Sequence, residues 1–372
     1  MFYSIDEARL QAQKRLPRIV FDFVDGASGN ETLPDFNSNE LSKIRLMPRV
    51  LKNIENRNLS KNFMSLNYNL PFGFAPMGLC NLTWPNADTM MAYESKVKNI
   101  PHCVSMASST TLEEIFEKTE GRSWFQIYVG QDESFVLEMI NRAKDIGYKV
   151  LILTVDVPVL SRRAKDQRNG FDVPYRFGFK QFIDFATHPT WSILSLINGP
   201  PKPMNYFTSK SKKGFVRKES RGSSDYNFLR KVREIWKDKL VVKGVMSSDD
   251  AKKIKDTGAD AIYISNHGGR QLESAPASIN VLSDIRKSVG KSFPLIFDSG
   301  VRSGDDIIKS IAMGADFVMV GRPLMYGIGA NGHKGLKKIL EIIENELSTT
   351  LGLVGLKNVN DVSSDIIYKN KG

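Results

Sequence analysis

From residue 70 onward the chain alternates short, nearly continuous apolar runs with amphipathic stretches. The runs read LPFGFAP, PHCVSMAS, SWFQIYV, YKVLILTVDVP, KLVVKGV, ADAIYISNHGG, FPLIFDSGV and ADFVMVGRP. Such runs suit strands buried on both faces, as in a parallel sheet covered by helices. Between most of them lie TLEEIFEKT, ESFVLEMINRAKDIG, SSDDAKKIKDTG, SINVLSDIRKSVG and SGDDIIKSIAMG. Several begin with Ser, Thr or Asp and end near Gly, as capped helices do. Eight strand–helix units in series predict an α/β fold, a (β/α)8 TIM barrel, with a doubly wound sheet as the alternative.

One spacing breaks the period. Between LILTVDVP and KLVVKGV lie roughly 80 residues where the other connections have about 25, and a long stretch without clear periodicity reads as a lid or mobile loop. The expected layout is a single domain over residues 1–372, with a barrel at about 70–335 and a basic, mobile insertion at about 181–225. Residues 1–60 read as helices packed outside the barrel.

Composition narrows the picture modestly. With 372 residues, 41% of them hydrophobic, the chain can bury a full core. No apolar run approaches the roughly 20 residues of a transmembrane helix, and the N-terminus lacks the apolar block of a signal peptide. Cys80 and Cys103 are too few for a disulfide framework and lack metal-ligand spacing, so a cytoplasmic location and no metal are expected. The net charge of +11 comes from basic residues scattered along the chain. A nucleic-acid-binding protein would cluster them with exposed aromatics. Only residues 202–221, with seven Lys or Arg against one Glu, approach that pattern, so no nucleic-acid partner is expected.

In such a barrel ligands bind at the carboxyl ends of the strands. The eight run ends carry a polar inventory. It comprises Gly78; Ser105; Gln126 with Tyr128; Thr154, Asp156 and Arg163; Lys243; Ser265, His267 and Arg270; Asp298, Gly300 and Arg302; and Gly321 with Arg322. Glycine N–H groups and guanidinium after the last two runs suit a phosphate monoester. Lys243 could hold a second negative charge, such as that of a reduced flavin ring. Phosphate plus cation fits FMN, and equally a sugar-phosphate substrate.

Of the four histidines, His102 reads as a packed strand residue, His188 as a local turn residue and His333 as a surface loop residue. His267 stands apart, because Asp156 on another strand end can orient its imidazole and Arg270 beside it can clamp a carboxylate.

The block SNHGGRQL, together with LTVDVP…RR, FQIY, VVKGV, DSGVRSG and GRP, resembles the FMN-dependent L-2-hydroxy acid oxidase and dehydrogenase family, which includes glycolate oxidase, flavin L-lactate dehydrogenases and mandelate dehydrogenase. Any one motif is weak; six in order over nearly the whole chain are specific. The resemblance implies FMN as cofactor and oxidation of a 2-hydroxy acid, L-lactate or a larger relative, to the 2-keto acid. It implies that His267 is the base and Asp156 its support. Arg270 and Arg163 would bind the substrate carboxylate and Tyr128 the substrate. Ser105, Gln126, Thr154 and Lys243 would face the flavin ring, with Ala75 and Gly78 at its edge. Ser265, Asp298, Gly300, Arg302, Gly321 and Arg322 would surround the phosphate arm. It further implies a homo-oligomer, commonly a tetramer, and an electron acceptor that is quinone, cytochrome or O2.

Three positions depart from or divide that family. Phe23 stands where the family usually has a tyrosine whose hydroxyl helps bind the substrate carboxylate. Ala107 replaces the large tryptophan of plant glycolate oxidases and leaves room for a bulkier substrate. Gly78 matches the dehydrogenase members, whereas oxidases more often carry alanine there. Trp191, Ile193, Leu194, Leu196 and Ile197 precede the basic stretch, so residues 191–221 could rest on anionic lipid, placing the protein peripherally on the inner face of the cell membrane. A loop covering the active site is the other reading of that insertion.

Overall fold

The structure, a computed structural model, describes residues 1–130, 132–171, 178–209, 222 and 224–369. The helices α1 (Ile5–Arg15), α2 (Arg18–Asp25) and α3 (Thr32–Lys43) come first, followed by a hairpin of β1 (Lys61–Phe63) and β2 (Leu66–Tyr68). Then β3 (Phe72–Met77), α4 (Ala87–Lys98), β4 (His102–Ser105), α5 (Leu112–Lys118), β5 (Trp124–Tyr128), α6 (Glu133–Ile146) and β6 (Val150–Thr154) form the first half of the barrel. The insertion carries α7 (Ala164–Asn169), α8 (Phe179–Ala186), α9 (Pro189–Asn198) and α10 (Met204–Phe207). The second half runs through α11 (Tyr226–Ile235), β7 (Lys239–Val245), α12 (Ser248–Asp256), β8 (Ala261–Ile264), α13 (Ser278–Val289), β9 (Leu295–Phe297), α14 (Gly304–Ala312), β10 (Phe317–Val320) and α15 (Arg322–Leu353).

Strands β3 to β10 pair in parallel and in chain order, and β10 closes on β3, so the fold is a (β/α)8 TIM barrel. The capping signals act as read: Thr111, Asp132, Ser247 and Ser303 each accept a first-turn backbone N–H, and Gly147 ends α6 in the left-handed region. At the amino end the hairpin plugs the barrel. Phe63 stacks on Phe317 at 4.9 Å, and the Trp124 indole donates to the Tyr68 hydroxyl at 3.2 Å, all four side chains being buried. With that end filled by aromatic rings, the open end is the carboxyl end.

The insertion is more regular than its composition suggests. Where described it is helical, because FKQFIDFA and PTWSILSLIN place apolar residues at helical spacing. Most of the basic stretch, residues 210–221, lies outside the described residues. Trp191, expected among exposed apolar residues, is instead buried, its indole donating to Leu82 O at 2.7 Å. His333 is not a loop residue; it sits in α15 beside a break at Asn331–Gly332 and pairs with the buried Glu94 at 2.5 Å. Among the described residues no helix is long and apolar enough to cross a membrane.

Candidate active site

The strand register places Ser105 beside Gln126, Tyr128 beside Thr154, and Thr154 beside Lys243 on neighbouring strands. A buried hydrogen-bond chain follows: Ser105 Oγ donates to Gln126 Oε1 at 2.8 Å, and Gln126 Nε2 donates to Thr154 Oγ1 at 2.9 Å. The Lys243 Nζ donates to Ser265 Oγ at 2.8 Å and lies 3.6 Å from Asp298. Burial alone would lower the Lys243 pKa, but Asp298 and Asp156 outweigh it and hold the value above that of an ordinary lysine. Asp298, expected near a phosphate arm, is therefore drawn into this cluster, where it also accepts from the Tyr263 hydroxyl at 2.8 Å. Tyr263 was not anticipated from sequence, because a tyrosine inside an apolar strand reads as core.

The His267 turn depends on its glycines. His267, Gly268 and Gly269 have φ of 59°, 62° and 79°, three successive left-handed residues. A side chain at Gly269 would place its Cβ 2.8 Å from Pro34, so α3 approaches only because Gly is there. Asn37 of α3 exchanges two hydrogen bonds with Asn266, at 3.1 and 2.7 Å, locking the turn to that helix. A second glycine has a similar office. At Gly244, φ 102° and a register shift in β7 open a gap into which the Asp156 side chain fits; a Cβ there would stand 2.4 Å from that of Asp156.

The result is an imidazole–carboxylate pair. His267 Nδ1 lies 3.0 and 3.1 Å from the two Asp156 oxygens. Burial pushes the Asp156 pKa up, but the His267 charge and hydrogen bond, with Lys243, bring it below the ordinary value. For His267 burial is the largest influence and lowers the pKa; Asp156 raises it, Lys243 and Arg163 lower it, and the net is below 6.5. Gln271, missed in the sequence, braces this arrangement. Its Nε2 donates to Asp156 O and Val159 O at 3.1 and 3.2 Å, fixing the segment that carries Asp156.

Helix α2 crosses the open end and is tied there by the arginines. Arg270 Nη1 donates to Phe23 O and Gly26 O, each at 2.9 Å, while Arg322 donates to Val24 O at 3.4 Å and Gly26 O at 3.0 Å. Both thereby satisfy carbonyls that the helix end leaves unpaired. The Arg270 guanidinium lies 5.4 Å over the Phe23 ring, and that ring stacks on Phe171 at 4.3 Å.

One cavity at the carboxyl ends gathers most of the expected residues. Phe23, Tyr128, Arg163, His267 and Arg270 line it, as do Ala75, Gly78, Lys243 and Asp298. Gly300, Arg302, Gly321 and Arg322 line its other part. Ser105, Gln126, Thr154, Asp156 and Ser265 are buried or nearly so behind that lining and act on it through hydrogen bonds. Neither Arg302 nor Arg322 has a carboxylate in ion-pair range among the described residues, whereas burial and then the charges of Arg302 and Arg270 push Arg322 down to about 10. Arg302 and Arg322, beside positive-φ glycine backbone at Gly300, suit a phosphate. The Gln126–Thr154–Lys243 donor and acceptor set suits a polar heterocyclic ring, so the residues fit FMN. Among the described residues no group of His, Cys, Asp and Glu could hold a metal.

The comparisons with known proteins agree with this geometry. A family model described as FMN-dependent dehydrogenase matches residues 12–369. The (S)-mandelate dehydrogenase of Pseudomonas putida is 32% identical over 375 residues, covering 100% of this chain and 94% of that protein. An L-lactate dehydrogenase of Pseudomonas syringae pv. syringae is 30% identical, covering 98% of each. A crystal structure described as the monotopic membrane protein (S)-mandelate dehydrogenase superimposes with a TM-score of 0.93 at 32% identity, covering 99% of both chains.

Proposed function

This chain belongs to the FMN-dependent dehydrogenase family, and on that premise we propose that it oxidises an L-2-hydroxy acid, L-lactate or a larger relative, to the 2-oxo acid and passes the electrons to quinone or another carrier. When bound, FMN supplies the two-electron acceptor. Ser105, Gln126, Thr154 and Lys243 would hold its ring, with Ala75 and Gly78 along one edge. Gly300, Arg302, Gly321 and Arg322 would hold its phosphate.

The observation that carries this reading is that His267, backed by Asp156, lines one cavity with Arg270. Arg270 and Arg163 bind the substrate carboxylate, and Tyr128 hydrogen-bonds the substrate. His267 takes a proton from the substrate while Asp156 steadies the imidazolium that forms. An anaerobic screen of L- and D-2-hydroxy acids for bleaching of the yellow flavin band tests the proposal. Bleaching by L-acids supports it; a yellow protein that none of them bleaches would remove it. Slow recovery in air would support a carrier over O2 as acceptor, in keeping with Gly78, where an added Cβ would meet that of Ala107 at 3.0 Å.

The pH profile of flavin reduction checks the base. His267 acts only when neutral, and its pKa lies below the ordinary 6.5. The rate should thus hold through neutrality and fall only as pH drops through a value below 6.5. Asp156→Asn removes an influence that raises the His267 pKa, so the acid limb should move lower still. The plateau should lose part of the about 10²–10⁴-fold that a positioned base supplies. An acid limb that moves upward in that variant would count against the assignment.

Phe23 lacks the hydroxyl found in the family, so carboxylate binding rests on the two arginines. Phe23→Tyr should regain a hydrogen bond to a charged group, about 1.5–3 kcal/mol, and lower KM by about tenfold or more. An unchanged KM would show that the ring at this position does not face the carboxylate.

For localisation, the likeness to a structure described as a monotopic membrane protein supports peripheral membrane contact, which we assign to the insertion. The apolar faces of α8 and α9 support it further: Phe182, Leu196 and Ile197 are 68%, 83% and 76% exposed. Phe179 and Ile183 extend the surface beyond the 191–221 segment read from the sequence. Pelleting with anionic vesicles, abolished by Leu196→Asp with Ile197→Asp, would be the expected result. A homo-oligomer, as in the family, completes the proposal.

A further inference from the structure

We propose that Tyr206, delivered by the insertion, is the residue that reads the substrate's side chain and selects 2-hydroxy acids with a branched or aromatic group at C2. The inference rests on the cavity being the 2-hydroxy acid site. Helix α10 straddles Ala107. Met204 N donates to Ser108 O at 3.0 Å, and the fully buried Asn205 donates through Nδ2 to Met106 O at 3.4 Å. Asn205 Oδ1 also accepts from Leu112 N at 3.0 Å, so the segment is fixed on both sides of that small residue.

The next residue, Tyr206, lines the same cavity as His267 and Arg270. Its ring stacks on Phe135 of α6 at 4.9 Å and 27°, which holds its orientation. Ala107 presents only a methyl group to the cavity, and Leu160, Phe171 and Phe23 add apolar lining near the polar residues. A ring face bordering a small-residue gap favours an apolar group of several carbons over the methyl group of lactate. The proposed recognition is by shape and ring contact, which phenylalanine would preserve.

The test compares Tyr206→Ala and Tyr206→Phe with the parent holoenzyme, using flavin content to confirm the fold. One readout needs no turnover: acetate and phenylacetate are titrated against the flavin absorption spectrum. The other is anaerobic flavin reduction by L-lactate, L-2-hydroxy-4-methylpentanoate and L-3-phenyllactate. Tyr206→Ala should weaken phenylacetate, and lower kcat/KM for the two larger acids, by about tenfold or more, with less than about threefold change for acetate and lactate. Tyr206→Phe should match the parent. Equal losses for small and large ligands in Tyr206→Ala would mean that the residue only supports the fold, and would overturn the proposal. If the parent binds both carboxylates but is reduced by no hydroxy acid, the reaction assignment fails while the ligand-size discrimination is still decided by the titrations.

Discussion

His267→Asn is expected to leave FMN bound and to slow flavin reduction by about 10²–10⁴-fold, the contribution of a positioned general base. Asparagine suits the site because the residue has φ 59°, a left-handed conformation that Asn adopts more readily than most. The turn should therefore survive, including the backbone N–H that donates to Ser265 Oγ at 3.0 Å, and with it the Lys243–Ser265 contact. What is lost is the ring nitrogen proposed to take the proton, together with the imidazole that pairs with Asp156. Stopped-flow reduction under anaerobic conditions measures the effect. A variant that keeps its yellow colour and is reduced at the parent rate would remove His267 as the base, whatever else the cavity does.

Arg270→Met should raise KM for the hydroxy acid by about a hundredfold, in the range of 2–5 kcal/mol for removing one partner of a buried charge pair. Methionine keeps most of the stem, so packing against the Phe23 ring is partly retained while the guanidinium goes. Two carbonyls at the end of α2, Phe23 O and Gly26 O, lose a donor as well. Arg322 still bonds Gly26 O at 3.0 Å, which should keep the helix in place. The control is an uncharged substrate analogue, the amide of the same hydroxy acid. Its KM should change far less than that of the acid. Equal rises for both would mean that Arg270 holds α2 and does not bind the carboxylate.

The two variants also separate features that were legible in the chain from features that were not. Positions after apolar runs were readable as strand ends because a parallel strand buried on both faces leaves a nearly unbroken apolar signal. Polar residues following it therefore mark the open end of the barrel. His267, Arg270, Lys243 and Asp298 were visible on those terms. Tyr263 was invisible because it lies within such a run, and its bond to Asp298 arises only when β8 and β9 pair. Gln271 follows Arg270 directly, yet its role appears only where its amide meets the carbonyls of Asp156 and Val159. Trp191 and Phe182 are both aromatic residues of the insertion, but one is buried and the other exposed. Composition does not distinguish a helix face that meets Leu82 from one that meets solvent.

By itself the sequence determined the alternation of strands and helices, the capped starts of several helices, and which polar residues follow the strands. That the sheet closes into a barrel is seen in the pairing of β10 with β3. The first three follow from local rules: the period of the apolar residues, the hydrogen-bonding habits of Ser, Thr and Asp at helix starts, and the positive φ that glycine tolerates. Tertiary structure alone decided which groups share a hydrogen bond and which way each titratable group is pushed. His267 and Asp156 are 111 residues apart in the chain, and their pairing depends on a gap at Gly244 that no periodicity announces. The pKa directions of Lys243 and His267 depend on burial and on charges from different strands, quantities that exist only once the barrel has closed. Tyr206 reaches the cavity for the same reason: its position is set by bonds to Met106, Ser108 and Leu112, residues about a hundred positions earlier that lie beside it only in the folded chain.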